Sequence, residues 1–501
     1  MPLVVSVMVE EGTRMRANRF FQTFLLIALL LAGMAATCSR CSAQNQMAYM
    51  LLEGSILVDD CIICGRPPII VPMRGTFILT LREENPLFAI YDVRDVKFHC
   101  SNDFSKYDVT GEGTYEIGGE VALVQRMQLK VQVNDVPGVE LASDLGPLGR
   151  YWPMIEIDVA EKQDPPRNPL QVFSMHIIAA PAREIWFSTG IGFTSGSLND
   201  RVSDGDLLTM NGHVIYSNAH LVGRLGIMPM VPDLGLDAVD IGAGGEVFFS
   251  CEDGAFSETL GPLQHGDLLS NKGRIVATNQ QLTSAFIPEP PAPDVGLDAV
   301  QVKEDGEILF SIEQPLFSEA LGVMLNPGDL LSSKGAVVRT NKELLVKFAP
   351  EDPKHDMGLD ALYVWQNGEI WFSTELGFMS RYGTISDGDL LSDNGSIVFK
   401  NLELLRAFQP LEKLANFGLD ALFVVTDSLL PKPMPQVTMT MEENAGDVWM
   451  EWKSDGRVFQ LERADEPGGP YVPLGPITPE ATYLDTAALN SLKSFYRLRL
   501  W

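Results

Sequence analysis

Basic side chains are scarce in this chain: 37 lysines and arginines stand against 66 aspartates and glutamates, for a formal net charge of −29 over 501 residues. Without a basic footprint there is nothing to displace the counterions of nucleic acid phosphates, so DNA and RNA are excluded as partners. Histidine is scarcer still. His99, His176, His213, His220, His265 and His355 are scattered, with no pairing and no H-E-x-x-H spacing. No G-x-S-x-G elbow, P-loop or dinucleotide fingerprint occurs, which removes the usual signatures of nucleophilic, nucleotide-dependent and hydride-transfer chemistry. After Ala36 no apolar run approaches the roughly 20 residues of a bilayer span.

The first 43 residues have the order of a secretory signal peptide: Arg14, Arg16 and Arg19, then an apolar run from Phe24 to Ala36, then small residues ending Ser42-Ala43-Gln44. A chain secreted or held at the cell surface of a bacterium is expected, with no integral membrane segment after cleavage. Removing residues 1–43 takes away four arginines and two glutamates, leaving 33 basic and 64 acidic side chains. Calcium, cationic partners and neutral glycans are compatible with that balance. Four cysteines remain, Cys61, Cys64, Cys100 and Cys251; an even number in an oxidising compartment points to disulfides, in any of three pairings. The Cys61-Ile-Ile-Cys64 spacing lacks the βαβ surroundings of a redox site, so structural bridging is the expectation.

What dominates the chain is a repeat. A unit of about 62 residues recurs four times between Ala182 and Val425, with Glu184, Glu246, Glu307 and Glu369 in equivalent places. Each copy has a Glu-(Ile/Val)-x-Phe-Ser strand, a Gly-Asp-Leu-Leu turn and strand, and a closing Gly-Leu-Asp-Ala. The closing strand runs through a short turn into the next opening strand, as in Leu236 to Ser250, and Phe173 to Ala180 is expected to form the first such hairpin with Glu184 to Ser188. Four strands per unit suit a propeller blade, which must bury its faces against its neighbours. Phe187, Phe249, Phe310 and Phe372 are the expected core anchors. Leu419 to Val425 would complete the first blade of a closed ring; an open stack is the alternative.

Residues 44–166 read as a first β domain, a sandwich or barrel, in which Met127, Leu129, Val131 and Val133 alternate onto one buried strand face. Residues 173–425 hold the propeller-like array, 426–436 a proline-rich linker, and 437–501 a short β module. The fold class is therefore all-β: an N-terminal sandwich or barrel, four repeats, and a small C-terminal sandwich.

Carboxylates are the only reactive groups present in every copy. Asp206, Asp267, Asp329 and Asp389 follow the turn glycine, and Asp237, Asp298, Asp360 and Asp420 sit in the closing strand. As oxygen ligands they would make calcium sites, one per unit, with Asp204, Asp206, Asp387 and Asp389 as candidates because they form Asp-Gly-Asp triplets in the first and fourth copies. The competing reading is that an aspartate beside glycine fixes a turn through its own backbone. Symmetric repetition gives identical acids on separate units, whereas catalysis divides roles between unlike groups; no catalytic residue and no cofactor other than calcium is assigned. Trp186 and Trp371 would stack on sugars if exposed and belong to the core if covered.

The Leu-Asp-Ala pattern followed by a Gly-Glu turn and an Ile-x-Phe-Ser strand resembles the blade hairpins of bacterial β-propeller repeats. Trp452 in an early strand and Tyr496 in a late one resemble a fibronectin type III-like module, and Ser494-Phe-Tyr-Arg-Leu-Arg499 is similar to the termini of exported bacterial proteins that carry such modules. The resemblance implies a binding role. The expected function is that of a secreted, non-enzymatic protein binding an extracellular polysaccharide or a surface protein. A carbohydrate-active propeller, with its site in the loops Thr189 to Val202 or Glu375 to Ser386, and a structural envelope or matrix component are the alternatives.

Overall fold

The computed structural model describes residues 7–8, 46–162, 167–231, 233–288, 293–427, 437–444, 447–486 and 494–501. The described chain is all-β, with short helices only between strands. Apart from Val7–Met8, which pair with Tyr496 and Phe495, the leader lies outside the described residues, as does most of the linker at 426–436.

The first domain is one large antiparallel sheet. Its order runs Ile155–Glu161, Val136–Ala142, Val124–Val133, Lys106–Gly118, Phe88–Ser101, Ile69–Glu84, Gln46–Leu51, Val172–Ala180, and the last strand pairs back onto Ile155–Glu161, so the circuit of pairings closes. Met127, Leu129, Val131 and Val133 are buried while Arg126, Gln128, Lys130 and Gln132 are exposed, the alternation a strand with one covered face requires. One expectation is corrected. Val172–Ala180 does not open the repeat array but belongs to this sheet, where Phe173, Met175, Ile177 and Ala179 enter its core. Its pattern carries no Leu-Asp-Ala, and its alternation suits a sheet with one core face.

The repeats form four similar four-stranded sheets. In the second, Val239–Ile241, Val247–Phe249, Leu268–Ser270 and Arg274–Ala277 lie side by side in that order. The first sheet takes its inner strand from the far end of the array: Leu422–Thr426 pairs with Ala182–Phe187. The inner strands Leu422–Thr426, Val239–Ile241, Val300–Val302 and Leu362–Val364 lie beside one another in a cycle, the fourth next to the first. Phe187, Phe249, Phe310 and Phe372 are all fully buried, and each such side chain stabilises the fold by about 1.5–3 kcal/mol.

A circuit of hydroxyls ties the sheets together. The Ser188 Oγ donates to the Leu236 carbonyl at 2.7 Å, Ser250 to Leu297 at 2.7 Å, Ser311 to Leu359 at 2.7 Å and Ser373 to Leu419 at 2.6 Å. Each bond crosses from one sheet to the next, and the fourth returns to the first.

The C-terminal module has two sheets around one core of Val448, Met450, Trp452, Phe459, Leu461, Tyr496, Leu498 and Leu500. Trp452 and Tyr496 share this core, and the strands fall close to the expected positions. The module docks on the ring: Val458 joins the cluster containing Val239, Ile241 and Phe423, while the Arg457 guanidinium donates to Asp240 and the Ile241 carbonyl. Asp427 joins all three parts. Its carboxylate accepts from the Ala48 amide at 2.8 Å, Arg183 Nε at 2.8 Å and Trp501 Nε1 at 3.0 Å.

Candidate functional site: acids on the ring axis

Of the two repeated aspartate series, the first is occupied with local structure. Asp206 accepts from the amides of Ser203 and Asn218 at 3.0 and 3.1 Å, and Asp267, Asp329 and Asp389 repeat the pair with Gln264 and Asn279, Asn326 and Asn341, and Ser386 and Asn401. Asp389 also pairs with Lys400 at 2.7 Å. These acids close the turn and seat the first residue of the short helix beyond. Asp204 accepts from Ser203 Oγ and the Gly205 amide, and Asp387 from Asn416 Nδ2 and Ser386 Oγ.

That helix residue continues the relay. Asn218 donates to the Gly235 carbonyl at 3.0 Å and accepts from the Leu234 amide at 3.0 Å; Asn401 does the same with Gly418 and Phe417 at 2.8 and 2.9 Å. The Gly-Leu-Asp segment is thereby held from behind, two residues ahead of each inner strand. Gly296 has φ +77°, in the left-handed region, and a Cβ there would lie 2.2 Å from Glu313 Oε1. Glycine is required for both reasons, and Gly235 and Gly358 stand in the same relation to Glu252 and Glu375.

The second aspartate series is thereby brought together at one end of the ring axis. Asp237, Asp298 and Asp420 are buried and Asp360 is half-buried. Burial first, and then mutual repulsion, pushes the Asp237, Asp298 and Asp360 carboxyls well above the ordinary carboxylate range and that of Asp420 up to about 8. Glu252, Glu313 and Glu375 rim the mouth above them. They stand three residues after the anchor phenylalanine in copies two to four, and Gly190 takes that place in the first. Burial and its acidic neighbours raise Glu252 to about 7. One ligand oxygen each from Asp237, Asp298 and Glu313 lie within 4.8 Å of one another. This rim was missed in the sequence because its period is broken by Gly190.

The opposite end of the axis is filled. Asp240 accepts from the Val302 amide at 2.7 Å and Gln301 from the Val364 amide at 2.7 Å, and Arg457 lies 4.9 Å from the centre of the Phe423 ring.

The glutamates of the opening strands are structural. Glu184 accepts from Asn211 Nδ2 and Trp186 Nε1, and Glu369 from Trp371 Nε1 and Ser392 Oγ. Trp186 and Trp371 are fully buried, so both belong to the core. The loops following Ser188 and Ser373 fold into small hairpins, Phe193–Ser195 with Asp200–Val202 and Phe378–Ser380 with Gly383–Ile385. Cys61 and Cys64 are bonded to each other; Cys100 and Cys251 are free and buried. No described helix is long and apolar enough to cross a membrane. In comparisons with known proteins, no family model and no curated protein matches the chain.

Proposed function

We propose that the chain is an exported, non-enzymatic binding protein. In this reading the ring is a four-bladed propeller, carried between an N-terminal β-sandwich or barrel and a C-terminal fibronectin type III-like sandwich, and its ligand is an extracellular polysaccharide or a surface protein. One observation supports the reading: four equivalent aspartates, one per unit, come together at one end of the ring with the exposed Glu252 and Glu375 beside them, while hydrogen bonds between units cross the other end. Equivalent groups around an axis grip a ligand from several sides, whereas hydrolysis of a glycosidic bond asks two carboxyls for opposite protonation roles. The acidic rim favours neutral or cationic surfaces over anionic polymers.

The test is a panel of neutral and charged polysaccharides presented to the purified chain, scoring bound protein and released sugar together. Saturable binding without release, lost when the rim is altered by the double change Glu252→Gln and Glu375→Gln, is the expected result. Released sugar would sink the non-enzymatic reading, and a blank panel would remove polysaccharide from it and leave the surface protein.

A further inference from the structure

We propose that the carboxylate end of the ring axis holds one divalent cation of the hard, oxygen-seeking class, calcium before others, between Asp237, Asp298 and Glu313. The site is independent of what the mouth of the ring binds.

Three observations converge. The first is geometric. The three side chains come from two neighbouring units and offer oxygens within 4.8 Å of one another. Calcium takes its ligands at about 2.3–2.6 Å, so oxygens on opposite sides of one ion stand up to about 5 Å apart, whereas the tighter magnesium shell spans only about 4.2 Å. An all-carboxylate set selects calcium, magnesium or manganese over zinc or copper.

The second is an unfilled valence. Asp237 Oδ2 and Asp298 Oδ2 are buried and have no hydrogen-bond partner among the described residues, on residues that are 7% and 3% exposed. Buried polar atoms are almost always satisfied. Both lie among other carboxyls, and two carboxylates satisfy each other only through a proton or a cation held between them. A cation between them answers both.

The third is contrast within the same chain. Buried acids elsewhere are compensated, by cations where Asp59 has Arg66, Asp240 has Arg457, Asp427 has Arg183 and Glu462 has Arg497, and by pairs of backbone amides at Asp206, Asp267 and Asp329. The strongest charged influences on Asp237 and Asp298 come from acids: Asp360, Asp420, Glu252, Glu313, Glu375 and each other. His265, bonded to Glu313 at 2.7 Å and 3.2 Å from Asp294, orients the Glu313 carboxylate from outside the cluster. Glu252 and Glu375 are exposed, which gives an ion a polar way in and leaves room for water to complete its shell.

The experiment uses the full chain, stripped with chelator and dialysed, titrated calorimetrically with calcium chloride and followed in parallel by thermal unfolding. One calcium per chain is expected, with an unfolding midpoint that climbs with the logarithm of calcium concentration. Asp298→Asn should weaken binding at least about 100-fold while its metal-free midpoint at neutral pH equals or exceeds that of the stripped parent, since folding no longer has to bury an acid among other acids. Glu313→Gln, at a half-exposed position, provides the same reading should the first variant fail to fold. The proposal is overturned by any of three results: no heat and no midpoint shift with calcium, magnesium or manganese up to about 5 mM, the range of weak extracellular calcium sites; binding that survives both substitutions; or about four calcium ions per chain, which would place them at the turns of the separate units.

Discussion

Converting Asp420 to asparagine should make the metal-free protein more stable, and only above acidic pH. Asp420 is buried beside Glu252, Asp204 and Asp387, and its carboxyl is raised from 3.8 to about 8 by burial and then by those neighbours. In the unfolded chain the same carboxyl ionises near its ordinary value, so between about pH 4 and pH 8 the folded state holds a proton that the unfolded state has released. Stability then falls as pH rises, by about 1.4 kcal/mol per pH unit for one proton.

The full window spans roughly four units, which sets a ceiling of about 6 kcal/mol. Water reaching the cluster past the exposed Glu252 and Glu375 screens part of this, and the neighbouring acids relax once one charge is removed. About 2–3 kcal/mol at pH 8 is therefore the expected gain. For a ring of this size that is a midpoint higher by about 5–10 °C. The assay is thermal unfolding of the parent and Asp420→Asn in chelator at half-unit steps from pH 4 to pH 9. The two curves should draw together near pH 4, where the unfolded carboxyl regains its proton, and diverge steadily toward pH 8. A variant less stable at pH 8, or one shifted equally at both ends, would refute the claim that burial among acids holds a proton on this carboxyl.

Three further outcomes follow from the same geometry. Asp427→Ala removes the acceptor shared by Ala48, Arg183 and Trp501 and leaves a largely buried guanidinium unpaired; a loss of about 3–5 kcal/mol and earlier proteolytic release of the C-terminal module are expected. Gly296→Ala places a methyl against Glu313 in a left-handed backbone position, and should lower the unfolding midpoint while displacing Glu313, so any calcium response falls with it. Cys100, its thiol pushed by burial up to about 12, and Cys251, raised further by burial and then by Asp237, should resist thiol reagents in the native chain at pH 8 and react only on denaturation, which a timed mass shift would show.

How far the sequence could be read depended on the length scale of each feature. The 62-residue period exposed the units, the phenylalanine anchors and the terminal strand that pairs into the first sheet, because each recurs with its own signature. Val172–Ala180 was misassigned because an alternating strand looks alike in either domain; only its missing Leu-Asp-Ala distinguished it. The five-residue helices are too short for any 3.6-residue period to show. Yet two of them announce themselves through capping boxes, Thr278 with Gln281 and Thr340 with Glu343. The acids were legible as two series, but not which series would meet. Turn geometry sends Asp206 and its equivalents back onto backbone amides, while placement two residues before the inner strand sends Asp237 and its equivalents to the axis.

The axis is where this chain departs from what folding alone would favour. Cyclic repetition multiplies any inner-strand residue by four, so an acid at this place brings four like charges together, and an apolar residue there would relieve the repulsion in every unit at once. The residue that follows shows how tightly the site is built: Ala238, Ala299, Ala361 and Ala421 are each at most 1% exposed, small enough to let the inner strands approach. Serine hydroxyls and phenylalanine rings hold the units together against that repulsion. Sites that oppose local stability while their surroundings reinforce it are where function is to be sought. The replacement of the fourth rim glutamate by Gly190 then matters, because it breaks the symmetry on the Asp420 side alone: three quadrants present a carboxylate at the mouth and one presents bare backbone. That gap lies beside Asp420, on the unit opposite the one that supplies Asp298 and Glu313 to the proposed cation.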